Sequence, residues 1–457
     1  MSRLIVQKSG PLRGRVQVPG DKSIGHRAIL FGSLARGRCH VRGLSHGEDN
    51  LSTVACMRAM GVNVELAGDR AIIDGVGLRG LSMPSGVLDC GNSGTTMRLL
   101  AGLLSAQRFG TRLVGDASLT RRPMGRVVGP LRARGAHIGG SDKDGRPAPT
   151  LEKCYPPLSV APLVEGEQLT GIEYDMPVAS AQVKTCLILS GLYASGPTAL
   201  REPVLSRDHT ERMLISLGVP LRTAGSMVYL DPEGLDGAKW DRGWDPFEWE
   251  VPGDVSSAAF PIAAALLVEG SEITIEGVGT NPTRTGLLDM LRLIGAPVEQ
   301  ETRDEAAGGE PRADLFVKHV RPRGGLAAGE LVVRMIDEVP ALCAIAAVSR
   351  GTIEIRDAEE LRVKESDRIA TMAGVLRAFG VSCEELADGM RIEGGAKLRG
   401  ATVTSQGDHR IAMSAAVLGL AAEGTTVVED ADCIATSFPT FVPLLKGLGA
   451  DVRLEES

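Results

Sequence analysis

"VPGDKSIGHRAIL" (residues 18–30) and "VPGDVSSAAFPIA" (residues 251–263) share one plan: a Pro-Gly-Asp turn that leads into an apolar helix. They differ in charge. Lys22, His26 and Arg27 crowd the first turns of the first copy, while Val255 and Phe260 stand in the places of Lys22 and Arg27 in the second. A helix N-terminus carries partial positive charge, so cations there are unfavourable. The uncharged copy shows that the backbone element does not need them. Lys22 and Arg27 are therefore read as facing an anion that the chain does not itself supply.

The echo runs the length of the chain. Related starts occur in "GNSGTTMRLLAGLL" (91–104), "ASAQVKTCLILSGLYASG" (179–196), "DEVPALCAIAAVSRGTIEI" (337–355) and "GDHRIAMSAAVLGLAAEGTTVVED" (407–430). Starts recur about every 70–90 residues, the kind of period that marks a repeat architecture. Each unit reads as a small-residue turn, an apolar helix, a β-rich strand, a second amphipathic helix ending in Gly, and a further strand. "GTTVVED" and "GSEITIEGV" alternate as half-buried strands do. In "DRIATMAGVLRAFG", Ile369, Met372, Leu376 and Phe379 share one helical face, and Gly380 closes the helix. Three such units can make a domain, and six give two. A seam falls in "GLDGAKWDRGWDPFEWEVPGD" (234–254), which holds Trp240, Trp244 and Trp249. It reads either as a satellite hydrophobic cluster or as a hinge. The stretches 141–149 and 303–314 read as polar loops without chemistry.

Composition narrows the function. The 457 residues carry a net charge of −7, so nucleic-acid binding would need local clustering of Lys and Arg, such as the Arg-rich 13–42. Aromatics make up only 3 %, which argues against base stacking. The eight Cys show no C-x-x-C pair, so neither a zinc site nor a disulfide framework is indicated. Reduced thiols, with no signal-peptide core in "MSRLIVQKSG" and no apolar run long enough to span a bilayer, lead us to expect a cytoplasmic protein.

Most repeat starts carry more polar residues than a turn needs. They are Lys22, Ser23 and Arg27; Asn92 to Thr96 with Arg98, Arg121 and Arg122; Ser180 and Gln182 with Ser206 and Arg207; Asp337 and Glu338; and Asp408, His409 and Arg410. Helix starts rich in Ser, Thr and Gly suit phosphate, and Lys or Arg adds charge-assisted bonds. In "RVKESDR" (362–368), Lys364 and Arg368 are four apart, which on a helix puts them one turn apart with Glu365 between. That arrangement suits either a proton-accepting carboxylate among cations or an ordinary ion-pair ladder.

In order along the chain, "PGDKSIGHRA", "GNSGTTMR", "LTRRPM", "ASAQVK", "LRVKESDR" and "GDHRIAM" closely resemble the 5-enolpyruvylshikimate-3-phosphate synthase family of enolpyruvyl transferases, from about residue 18 to the "SFPTF" at 437–441. The resemblance implies an α/β (α+β) fold: a two-lobed inside-out α/β barrel of six βαβαββ repeats, three per lobe around a pseudo-threefold axis. The first lobe would be 18–243, and the second 1–17 with 244–457, with hinges near 14–20 and 240–250. It implies transfer of the enolpyruvyl group of phosphoenolpyruvate to the 5-hydroxyl of shikimate 3-phosphate, by addition and elimination through a tetrahedral intermediate. No metal or cofactor is expected, no nucleic acid or membrane partner, and a monomer. Anionic substrates would then answer the cations at the helix starts.

Residue by residue, the resemblance makes Lys22, Asp337 and Glu365 catalytic. Lys22 would touch both substrates, Asp337 would accept the hydroxyl proton, and Glu365 would serve the methylene carbon. Lys22, Ser23, Arg27, Ser180, Ala181, Gln182, Ser206, Asp337 and Lys364 would line the shikimate 3-phosphate site. Lys22, Gly94, Arg122, Gln182, Arg368, His409 and Arg410 would line the phosphoenolpyruvate site. Gly94 implies sensitivity to glyphosate. Ala181 replaces a second Ser of many relatives, Thr436-Ser437 replaces a Lys-Thr pair of one branch, and Leu99 replaces a Pro of that branch. UDP-N-acetylglucosamine enolpyruvyl transferases share the fold and donor. They carry a Lys-Asn pair near the first helix and a reactive Cys in the loop, where this chain has Lys22-Ser23 and no Cys in 115–123. An RNA-cyclase-like enzyme shares the repeat type, but nothing in the chain resembles its nucleotide site.

Overall fold

The structure, a computed structural model, describes residues 2–233 and 243–456. They form two compact units. The first comprises Lys22–Val251 with the short segment Ala306–Glu310; the second takes the chain up to Asp21, Pro252–Glu305 and everything from Pro311 on.

Each unit has three four-stranded sheets, all open, and no strand order among the described residues closes into a barrel. The pairing plan repeats. In the first unit, Thr170–Asp175 runs parallel to Ser195–Arg201, which pairs antiparallel with Met227–Leu230 and through it with Leu221–Ala224. Arg323–Ala327, Arg350–Ile355, Gly389–Glu393 and Cys383–Leu386 follow the same plan in the second unit. Parallel neighbours need a crossover, and a buried helix supplies it. Helix Ala181–Gly191 lies between the first pair and helix Val339–Val348 between the second. Gly94–Leu104 and His409–Ala421 play the same part in two more sheets.

These helices are apolar nearly all round, as buried helices are. Every residue of Val255–Leu267 is buried, and in the second unit this helix packs against Val339–Val348 and His409–Ala421, which also touch each other. In the first unit Gly94–Leu104 packs against Ala181–Gly191 so closely that a Cβ on Gly102 would lie 2.1 Å from the Cys186 carbonyl oxygen. Glycine is required at such an approach. In a parallel crossover the helix begins beyond the C-terminal end of the preceding strand, the end at which α/β proteins place ligands.

The two Pro-Gly-Asp turns of 18–21 and 251–254 pair with each other. The Asp21 amide donates to the Pro252 carbonyl and the Asp254 amide to the Pro19 carbonyl, both at 2.8 Å. Arg284 spans the pair, at 3.0 Å from Asp21 and 3.4 Å from Asp254. Burial would lower the Arg284 pKa, but Asp21, Glu338 and Asp254 outweigh it and raise it. The recurrence therefore has a structural reason beyond the helix starts.

Three expectations change. The boundary read at 243/244 moves to Val251/Pro252, because Glu248–Glu250 adds a parallel edge strand to Arg36–Arg42 of the first unit. The polar stretch 303–314 is not a loop but parts of the adjacent strands Glu299–Ala306 and Glu310–Lys318, with a tight turn at Gly308 (φ 62°). Trp244 is a core residue of the first unit: its indole donates to the Phe31 carbonyl at 2.9 Å and its ring meets Phe31 edge-on. Trp249 stacks on Phe247, and Trp240 lies outside the described residues. The expected face of Ile369, Met372, Leu376 and Phe379 is buried, and Gly380 adopts φ 83° beyond the helix end. Among the described residues, no helix is long and apolar enough to cross a membrane.

Candidate active site

In the first unit, side-chain hydrogen bonds gather the first turns of five helices, the fifth being His209–Ser216. Lys22 opens helix Lys22–Leu34, and its Nζ donates to Asp49 Oδ2 at 2.9 Å, on helix Glu48–Ala59. His26 is fully buried and contacts Thr53 Oγ1 at 2.7 Å, so it belongs to the core and not to a cationic face. Thr53 continues to Thr96 at 2.7 Å, on helix Gly94–Leu104. Ser93 caps that helix by accepting from the Thr96 amide at 3.1 Å, a bond of about 1 kcal/mol at such a position. Arg98 donates to Gln182 Oε1 at 2.6 Å, and Gln182 Nε2 donates to Thr95 at 2.9 Å. Arg27 closes the circuit, with Nη2 on Thr185 at 2.8 Å, Nε on Thr210 at 2.7 Å and Nη1 on the Ser23 carbonyl at 2.8 Å. The arrangement brings Lys22, Ser23, Arg27, Gly94 and Gln182 to one end of the unit's helix layer.

Arg122 reaches the same helix start, donating to Asn92 Oδ1 at 2.9 Å and Ser118 at 3.2 Å. Ser180 caps Ala181–Gly191, accepting from the Val183 amide at 3.4 Å, and Ala181 is the first residue of that helix. Ser206 is buried behind the 180–182 turn, where both share the Glu202 carboxylate.

The second unit holds the other set. Arg368 is buried among three carboxylates: Asp408 Oδ2 at 2.8 Å, Glu365 Oε2 at 2.6 Å and Asp337 Oδ1 at 3.2 Å. Burial would lower the Arg368 pKa, but Asp408, Glu365 and Asp337 together raise it. Lys364 Nζ lies 3.8 Å from the same Asp337 oxygen, and Arg410 donates to the Asp337 carbonyl at 2.8 Å. Asp408 caps helix His409–Ala421 through the Arg410 amide at 2.9 Å. His409 contacts Thr436 Oγ1 at 3.4 Å. Lys364, Arg368 and Arg410 thus meet Asp337, Glu365 and Asp408 in a cluster of three cations and three carboxylates. Glu338 turns away, to Ser256 and to Arg284 at 3.5 Å.

Lys22 thus faces a carboxylate that the chain itself supplies, contrary to the reading of its helix start, and a further expectation fails in the second unit. Lys364 and Arg368 do not share a helix. Asp367 caps the helix by accepting from the Ala370 amide at 3.1 Å, the helix begins at Arg368, and Lys364 is extended. The two cations converge on Asp337 through the tertiary fold. The residues that sequence reading passed over are Asp49, Lys184 and Glu202. Asp49 gives no signal in "SHGEDNLST". Lys184 does: a single charge inside the otherwise apolar "VKTCLIL" needs a buried partner.

The chain as a whole is similar to known proteins. The family described as EPSP synthase (3-phosphoshikimate 1-carboxyvinyltransferase) matches residues 6–445. A 3-phosphoshikimate 1-carboxyvinyltransferase of Geobacter sulfurreducens is 54% identical over 95% of this chain and 96% of the relative. One from Brevibacillus brevis is 46% identical over 97% and 99%. A solved EPSP synthase structure from Acinetobacter baumannii superposes over 100% of both chains with a TM-score of 0.85 and 41% identity.

Proposed function

This chain belongs to the EPSP synthase (3-phosphoshikimate 1-carboxyvinyltransferase) family, and on that premise we infer how its residues divide the reaction. It transfers the enolpyruvyl group of phosphoenolpyruvate to the 5-hydroxyl of shikimate 3-phosphate and releases phosphate. The names of its relatives favour this acceptor over UDP-N-acetylglucosamine.

In the addition step the 5-hydroxyl oxygen bonds to the central carbon of phosphoenolpyruvate. The hydroxyl proton leaves to Asp337, and Glu365, which must enter this step protonated, gives its proton to the methylene carbon, with Lys22 assisting. In the elimination step the carbon–oxygen bond to phosphate breaks. A methyl proton returns to the protein and the double bond re-forms. Two proton-transfer groups are needed because one proton moves at oxygen while another moves at carbon. The observation that carries this reading is the meeting of Lys364 and Arg368 at Asp337, with Glu365 on the same guanidinium. The cations hold the acceptor carboxylate in place without removing it from the reacting hydroxyl.

Helix starts take the anions. Ser23, Arg27, Ser180, Gln182, Ser206 and Lys364 serve shikimate 3-phosphate, with Ala181 offering one hydroxyl fewer than many relatives. Gly94, Arg122, Gln182, Arg368, His409 and Arg410 serve phosphoenolpyruvate, and Lys22 serves both. The finer fold reading is two lobes of three βαβαββ repeats, each an inside-out barrel about a pseudo-threefold axis. The common pairing plan of the sheets supports it.

The test is phosphate release from phosphoenolpyruvate in chelator-treated buffer, with each acceptor in turn. Release with shikimate 3-phosphate alone is expected. Release with only the nucleotide sugar would overturn the acceptor assignment.

Gly94 gives a second prediction. A Cβ there would lie 2.8 Å from Arg98 Nη1 and 3.3 Å from Arg122 Nη1. Both are ends of flexible side chains, so Gly94→Ala folds but pushes the guanidiniums into the anion space. Glyphosate inhibition should weaken at least about tenfold, the scale of one misplaced methyl in a tight pocket. An unchanged inhibition constant would refute this placement of Gly94.

A further inference from the structure

Behind the serines of the first unit lies a fully buried ionic cluster that the reaction does not use. Lys184 Nζ lies 2.7 Å from Glu202 Oε2 and 2.6 Å from Glu211 Oε1, with both partners buried. Burying an ion pair stabilises little by itself and is often matched by apolar side chains. The directions in which Glu202 faces suggest what the cluster does. Its Oε1 accepts from the Ser206 hydroxyl and from the Ser180 amide at 3.3 Å. Its Oε2 accepts from Lys184 and from the Ser206 amide at 3.2 Å. One carboxylate thus takes four donors, as many as its lone pairs allow, and two of its partners are the serines assigned to shikimate 3-phosphate.

We propose that Glu202, held by Lys184, is a positioning residue for the phosphate of shikimate 3-phosphate, a role that rests on the serine assignment above. A dianionic phosphate needs donors. Before it binds, the Ser206 hydroxyl proton points at Glu202. On binding, that hydroxyl turns to the phosphate, while the Ser180 and Ser206 amides and Lys184 keep the carboxylate and both loops in place. No bond is broken and no proton leaves Ser206. Glu211 takes no part in the serine contacts. Burial raises its pKa, and Lys184 only partly offsets this.

The test compares steady-state kinetics of wild type, Glu202→Gln, Glu211→Gln, Ser206→Ala and the Glu202→Gln/Ser206→Ala double variant, with both substrates varied. A Gln amide can accept at only one end, and its NH2 faces donors wherever it is placed. In Glu202→Gln the KM for shikimate 3-phosphate should rise about tenfold, the scale of a lost charge-assisted hydrogen bond, while kcat and the phosphoenolpyruvate KM stay within about twofold. Glu211→Gln should leave all three constants unchanged. In the Ser206→Ala background the Glu202→Gln effect should shrink to less than about threefold, because the two residues act through one contact.

An unchanged KM for shikimate 3-phosphate, equal losses for both substrates, or fully multiplicative effects in the double variant would overturn the proposal. If Glu202→Gln does not fold, Lys184→Met/Glu202→Gln/Glu211→Gln removes all three charges of the cluster and carries the same kinetic test. Wild type that releases no phosphate with shikimate 3-phosphate would overturn the functional reading, and this proposal with it. Wild-type turnover with an indifferent Glu202→Gln would overturn the proposal alone.

Discussion

Lys22→Ala lowers kcat/KM by about a thousandfold, with most of the loss in kcat, if Lys22 both neutralises substrate charge and assists proton transfer. The side chain stands at the first residue of its helix, where a cation is locally unfavourable, and its ammonium is held by Asp49 at 2.9 Å. Asp49 Oδ1 is buried without a hydrogen-bond partner among the described residues, so Asp49 does not spend its whole capacity on the lysine. The pair is largely buried, with 18% and 11% of its side chains exposed, so removing the ammonium strands the Asp49 carboxylate and should cost roughly 1–3 kcal/mol of stability, less than at a fully buried pair. The variant should therefore still fold, with a modestly lower melting temperature, while losing its activity. Steady-state kinetics beside a melting curve test this. A loss below about tenfold would remove Lys22 from the chemistry and leave it a binding contact.

Arg368→Leu should produce the largest change in stability. The guanidinium is 1% exposed and meets Asp408, Glu365 and Asp337, which are themselves 0, 16 and 14% exposed. Leucine leaves three carboxylates crowded without their common cation. Removing one partner of a buried ion pair typically costs about 3–5 kcal/mol, and phosphoenolpyruvate turnover should vanish with it. The sign of the pH effect follows from linkage. In the variant the folded state holds three carboxylates without their common cation, so taking up protons relieves the folded state more than the unfolded chain. The penalty is then full at neutral pH and shrinks as pH falls. Urea unfolding near pH 7 and near about pH 5 should show the deficit narrowing at the lower pH. An equal deficit at both would mean that lost packing, not uncompensated charge, sets the cost. Arg368→Lys should not restore activity, because an ammonium lacks the planar fork that reaches three acids at once.

The helices were legible because their signals are local. Asp254, Asp367 and Asp408 cap the helices that their positions announce. Apolar residues on all faces of "VSSAAFPIAAALL" mark a helix that no solvent touches. The stretch 303–314 misled because its Gly and charges look like loop, whereas its strands are set by neighbours in the sheet rather than by their own alternation. Trp244 and Trp249 misled for a related reason: a cluster of aromatics near a seam does not say which unit it serves until Glu248–Glu250 is seen to pair with Arg36–Arg42.

The sequence by itself determined the repeated helix starts, the residue types gathered there and the family to which the chain belongs. Each rests on order along the chain, and order survives without coordinates. The tertiary structure decided which charges meet. Lys364 and Arg368 meet at Asp337, 27 and 31 positions earlier in the chain, and not on a common helix face. Glu202 holds Ser180 and Ser206 through one carboxylate. Coulomb and hydrogen-bond energies depend on separations of a few ångströms, and those separations are set by the packing of helices and strands far apart in the chain.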